Sequence, residues 1–194
     1  MSHANLLVIL KKDEDLDEVL APYDENNAEY FEFEDQTEDL LKVYKDEIEN
    51  GAKEGKTAKE VLDDCGYVER EGRFGIEGNP KGYWDWWVIG GRWESYLKLN
   101  KELRDLAAVS ELSEDGTHCS ICRRKDFDYE GQKKDQEDAP LFFAIVKDGE
   151  WYGSADLGWF GTTSNEQQGW AATEERLLKE CDPEDLLVLV DYHI

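Results

Sequence analysis

The sequence predicts an α+β protein built on a mostly antiparallel, mixed sheet with helices packed on one face. Three observations carry that expectation. Short apolar runs at Asn5–Leu10, Leu141–Val146 and Asp185–Val190 are rich in branched side chains, as buried strands are. The helical patterns between them do not alternate strictly with strands, which argues against a doubly wound parallel sheet. Seven Trp, nine Tyr and seven Phe in 194 residues supply the bulk of a packed core, whereas acidic disordered chains are poor in aromatics.

Asn5–Leu10 is the first strand. Asp13–Leu20 reads as a short helix capped by Asp13 or Asp15, with acids in its first turn, stopping before Pro22. Glu29–Glu34 alternates aromatic and acidic side chains, the period of a half-buried strand. A helix from Thr37 to about Asn50 places Leu40, Leu41, Tyr44 and Ile48 at helical spacing. Thr57 and Glu60 form a capping box for a second helix that ends at Gly66. Glu69–Gly82, rich in glycine and charge, reads as loop. Tyr83–Ile89 and Trp93–Leu99 read as a hairpin turning at Gly90-Gly91. Residues 100–138 read as a polar, partly helical insertion with a turn at Asp115-Gly116. Leu141–Val146 and Glu150–Ala155 form a second hairpin across Lys147-Asp148-Gly149, Asn165–Glu180 is a helix, and Asp185–Val190 is the last buried strand. The whole chain, 1–194, is expected to be one compact domain, ferredoxin-like in part, with the three most apolar strands at the centre of its sheet.

The charge is lopsided: 47 acidic against 22 basic side chains give a formal net charge of −25. That balance excludes direct binding to a nucleic-acid backbone, whose affinity comes from Lys and Arg displacing counterions. It favours basic proteins, metal ions, or a small molecule held in a locally compensated pocket. Asp13–Leu41 holds 13 acidic residues and no Lys or Arg. An exposed surface of that kind, with Asp13, Asp15, Asp17, Glu32 and Glu34 as contact residues, can imitate nucleic-acid phosphates and occupy a basic partner; the plain alternative is a solvated face that confers solubility. No run approaches the roughly 18 apolar residues of a membrane span. The apolar stretch Leu6–Leu10 is short and followed by Lys11 and Lys12, the wrong order for a signal peptide, so the expected location is the cytoplasm.

The densest motif is Gly82-Tyr-Trp-Asp-Trp-Trp-Val-Ile-Gly-Gly-Arg-Trp93. Aromatic faces with Asp85 and Arg92 are what a site needs to stack a planar ring and hydrogen-bond its edge. Trp84, Asp85, Trp86, Trp87, Arg92, Trp93 and Trp159 are therefore the candidate ligand-binding residues. Core packing of the Trp residues and a structural Asp85–Arg92 pair are the plain alternative. His118-Cys119-Ser-Ile-Cys122 is the metal-like stretch, since Cys-x-x-Cys can give zinc two thiolates and His118 a third ligand. A closed site needs four ligands and no second pair has suitable spacing. The expectation is therefore no metal and no cofactor, with a surface turn bearing free thiols and zinc as the alternative. Asp191 and His193 lie two apart at the end of a strand and share a face, where an Asp can fix an imidazole tautomer; with Asp85 or Arg92 nearby they are the candidate acid–base pair. Gly158-Trp159-Phe160-Gly161 runs into a capped helix start, without the glycine spacing of a phosphate-binding loop.

Ala21–Asn26, Trp84–Trp93, Gly158–Gly161 and Val190–Ile194 together resemble a family of uncharacterised proteins from bacteriophages and bacteria. The Trp/Gly-Gly-Arg-Trp stretch is the specific part of that resemblance, and His118–Cys122 lies outside it. The resemblance implies a phage or mobile-element origin and brings no activity or catalytic residue with it. The expected function is thus a non-enzymatic acidic binding protein, phage-encoded, that occupies a basic host protein of defence or nucleic-acid handling. The alternatives are a Trp/Arg-lined pocket for a planar small molecule or nucleotide, and an enzyme using Asp191 and His193.

Overall fold

A computed structural model describes residues 2–100, 112–158 and 162–194. In chain order the elements are β1 (His3–Leu10), α1 (Leu16–Leu20), β2 (Glu32–Asp35), α2 (Thr37–Val43), α3 (Lys45–Lys53), α4 (Ala58–Asp64), β3 (Val68–Arg70), β4 (Arg73–Gly78), β5 (Trp86–Ile89) and β6 (Leu97–Lys98). They continue with β7 (His118–Cys119), β8 (Ile121–Arg123), α5 (Tyr129–Asp135), β9 (Ala144–Lys147), β10 (Glu150–Gly153), β11 (Asp156–Leu157), β12 (Thr163–Ser164), α6 (Trp170–Lys179) and β13 (Leu186–His193). Mixed but mostly antiparallel sheets with these helices make an α+β fold, as the sequence predicts. Among the described residues no helix is long and apolar enough to cross a membrane.

Where the sequence suggests one compact body, the chain forms two compact units, Met1–Ala21 with Tyr83–Ile194, and Pro22–Gly82. In the larger unit the main sheet runs β10-β9-β1-β13-β5, with β8 pairing the other half of the β13 edge that β5 occupies. The three apolar runs are its centre. β1 pairs antiparallel with β13 over eight residues, from His3↔His193 to Leu10↔Leu186, and parallel with β9. β1 and β9 are parallel direct neighbours, a pairing that the split βαβ units of a ferredoxin-like sheet do not use, whereas β13 does lie between the parallel strands β1 and β5. Asp148 (φ 53°) and Gly149 (φ 74°) turn the β9–β10 hairpin; positive φ at both central residues is the type I′ geometry that matches strand twist.

One face of the sheet carries Leu7, Ile9, Ile145, Leu187 and Leu189 against Trp170, Leu177 and Leu178 of α6. Those α6 residues, with Glu174, recur at helical spacing and form its buried side. Glu174 is itself fully buried. Its carboxylate accepts the backbone N–H of Leu141 (2.9 Å) and Phe142 (3.0 Å) and the Tyr129 hydroxyl (3.1 Å), anchoring the entry to β9. Burial pushes its pKa above the usual carboxylate value, against those hydrogen bonds.

The expected polar insertion contributes to the core. β7 pairs β6, β8 joins the main sheet, and Cys119, Cys122, Phe127 and Tyr129 are buried. Residues 101–111 of that stretch lie outside the described residues. Trp93–Leu99 does not return against β5: Gly91–Trp93 is a 3-10 turn, and β5 pairs instead with β13.

In the smaller unit β2, β4 and β3 pair only with each other, in that order, and α2 and α4 pack on β4 and β3 around Leu40, Val61 and Leu62. The expected loop at 69–82 is therefore the β3–β4 hairpin. Its glycines masked it, yet Gly75 must lack a side chain, because a Cβ there would stand 1.9 Å from the Glu34 carbonyl oxygen. The predicted capping box forms as expected at Thr57 and Glu60. The single helix expected from Thr37 breaks at Tyr44 into α2 and α3.

Glu174→Ala should destabilise the protein by about 3 kcal/mol, because two buried amide donors lose their acceptor; chemical denaturation measures this. A raised folded-state pKa contributes stability at low pH that is lost as pH rises through the folded value. Glu174→Gln should therefore cost less at alkaline than at acidic pH.

Candidate functional site

The polar end of the β1–β13 pair gathers what the sequence scatters over 190 positions. Directly opposed residues share a face, so His3, His193 and Trp86 line up across β1, β13 and β5, with Asn5, Asp191 and Val88 one step further in. The two imidazoles lie 5.0 Å apart, edge to face, and the Trp86 indole stands 6.4 Å from His3.

Each imidazole is held by its own carboxylate. His3 Nδ1 is 2.8 Å from Asp191 Oδ1, and His193 Nδ1 is 2.6 Å from Asp85 Oδ1. Carboxylates only accept, so both rings carry their proton on Nδ1 and, when neutral, present a lone pair at Nε2. The pairing differs from the Asp191–His193 couple suggested by their spacing: Asp191 serves His3, across the strand pair, and Asp85 serves His193. Asp85 lies at a bend before β5 begins, so strand alternation does not govern its side chain.

Asp191 is nearly sealed from solvent. Its second oxygen accepts the backbone N–H of Arg92 (3.0 Å). That contact explains Gly90-Gly91, which reads as a hairpin turn in sequence: Gly91 has φ 53°, and a Cβ there would stand 2.5 Å from the Asp191 carboxylate. Among the described residues, two buried side-chain polar atoms have no hydrogen-bond partner, Trp84 Nε1 and His193 Nε2. Both belong to residues of this corner of the sheet.

The Trp/Arg set is not brought together as one pocket. Trp84 is buried; Trp86, 51% exposed, and Trp87 alternate to opposite faces of β5; Trp93 packs on the core; the Arg92 side chain is exposed. Trp159 lies outside the described residues, although Gly158 accepts a hydrogen bond from Ser2 beside His3 (2.8 Å). His3 is the member that sequence reading missed. A polar His and Asn opening an otherwise apolar strand was the available signal.

Nor do His118, Cys119 and Cys122 form an exposed turn. Both thiols are buried, on β7 and β8, while His118 Nδ1 pairs with the Thr117 hydroxyl (2.8 Å). Hydrogen bonding to Cys119 and burial push the Cys122 thiol well above its ordinary pKa, the opposite of a redox-activated cysteine. Among the described residues no group of three or more His, Cys, Asp or Glu is placed to hold a metal ion. No protein-family model matches the chain, and neither the curated proteins nor the solved structures contain a match.

Gly91→Ala should destabilise the fold by roughly 1–3 kcal/mol, through φ strain and displacement of Asp191; its melting temperature tests this. A thiol reagent on the native protein should modify exposed Cys65 at once and reach Cys119 and Cys122 only on unfolding, which timed mass spectrometry resolves.

Proposed function

We propose that the chain is an acid–base catalyst whose reacting groups are the paired imidazoles His193 and His3. One observation carries this: two adjacent imidazoles each have Nδ1 fixed by a separate carboxylate, which makes Nε2 the proton-exchanging atom of each ring, that of His193 being buried and without a partner. A neutral ring accepts a proton at Nε2 from water or a substrate hydroxyl, and a protonated ring returns one to the leaving group. Asp191 and Asp85 fix ring orientation and stabilise the imidazolium as it forms. Among the described residues the hydroxyl next to His3, that of Ser2, donates to the Gly158 carbonyl (2.8 Å), so attack by water fits better than a covalent intermediate. The test is hydrolysis of a panel of p-nitrophenyl carboxylate and phosphate esters. His193→Ala and His3→Ala should each lower the rate by about 10²–10⁴-fold with circular dichroism unchanged. Absence of turnover across the panel, or equal turnover by the double variant, ends this reading.

A second reading, an acidic protein that occupies a basic partner such as a host defence protein, is supported by a different observation. Asp13, Asp15, Asp17, Glu32 and Glu34 are all exposed, and none takes part in an ion pair among the described residues. Asp15 is occupied locally as the cap of α1. Binding of a basic protein that persists unchanged at about 1 M salt, where the Debye length is roughly 3 Å, runs against it.

A further inference from the structure

We propose that the outer edge of β2 in the smaller unit docks an extended basic peptide segment, which adds to the β2-β4-β3 sheet as a fourth strand. The proposal rests on the second reading above and names the partner's chemistry and register. β2 is an edge strand with no partner on its outer side among the described residues. Gln36 N donates to Phe74 O at 2.9 Å. In an antiparallel ladder that bond directs the backbone groups of Glu32 and Glu34 at β4 and those of Phe33 and Asp35 outward, where an added strand would meet them.

The two faces of the edge differ in chemistry, and that difference sets the sequence of the occupant. Register puts Glu32, Glu34, Ile76 and Gly78 on one face, and Phe33, Asp35, Arg73 and Glu77 on the other. On the first face Ile76 is 41% exposed between uncompensated carboxylates, and a cleft of about 320 Å³ opens there towards Pro80. Nothing lies within 4 Å of where a Gly78 side chain would begin, so the floor of the cleft is open. On the second face Arg73 lies over the Phe33 ring at 5.8 Å and pairs with Asp35 at 3.7 Å, so the cation needed there is already present. An occupant therefore turns Lys or Arg towards Glu32 and Glu34, where opposite charges attract across strands, and aliphatic side chains towards Phe33. A slip of one residue would set its cations against Arg73. The unit as a whole, with 18 acidic and 8 basic residues over 22–82, attracts such a segment.

The test uses the full chain and a fluorescent, acetylated and amidated Lys-Val-Lys-Val-Lys-Val-Lys peptide, followed by anisotropy at low salt. Two comparison peptides are a block isomer with its four Lys preceding its three Val, and the alternating peptide N-methylated at every second residue. The alternating peptide should bind at least tenfold tighter than either comparison. Glu32→Lys/Glu34→Lys should weaken it roughly tenfold, and Glu47→Lys/Glu54→Lys on and just beyond α3 by less than threefold. Equal binding of the N-methylated or block peptide, which needs no variant to fold, overturns strand addition and leaves the acidic-binding reading standing. Failure of every lysine peptide to bind at low salt overturns both.

Discussion

Eight residue pairs between the first and last strands, His3↔His193 through Leu10↔Leu186, hold the larger unit together. Both strands are buried on both faces: Leu6, Leu7, Val8, Leu189 and Val190 have no accessible surface. Each such side chain contributes about 1.5–3 kcal/mol when removed from water. The partners lie at opposite ends of the sequence, so loop closure is costly and apolar burial must offset it. The strands that flank this pair are placed by it, β9 along β1, and β5 and β8 along β13. Side chains alternate, so a one-residue slip would send His3 to the opposite face and dissolve the imidazole pair. The leucines thus position the histidines.

Asp191 imposes the second constraint. A buried carboxylate is tolerated only where its oxygens are hydrogen-bonded. One oxygen takes His3, the other takes Arg92 N–H, and Gly91 must lack a Cβ for that approach. Glu174 is handled in the same way at the other side of the core, with two amides and a phenol. The difference lies in what is held. Glu174 ties backbone to helix, whereas Asp191 ties a ring whose second nitrogen is left for something else.

Local signals were legible in the sequence. The apolar runs, the Thr57/Glu60 capping box and the Asp148-Gly149 turn each depend on neighbours a few residues away, and each appears in the structure. Long-range signals were not. Gly90-Gly91 looks like a hairpin turn because turns are where glycine pairs usually serve, yet one of the two makes room for a carboxylate a hundred positions away. Gly75 made a strand look like loop for the same reason, since it makes room for the Glu34 carbonyl. Asp191 and His193 were found as candidates through their two-residue spacing, but their partners follow from strand register, which no single segment encodes. The Cys-x-x-Cys stretch reads in sequence as a surface turn with free thiols, yet both thiols are buried, one on β7 and one on β8.

The polar accounting of the fold then returns to one corner. A buried polar atom without a partner costs about 1–3 kcal/mol, and folds retain few. Among the described residues the two such atoms are Trp84 Nε1 and His193 Nε2, a donor and, in the tautomer that Asp85 fixes, an acceptor. They fall on the segment leading into β5 and on the last residues of β13, beside the pair of imidazoles whose Nδ1 atoms are both committed.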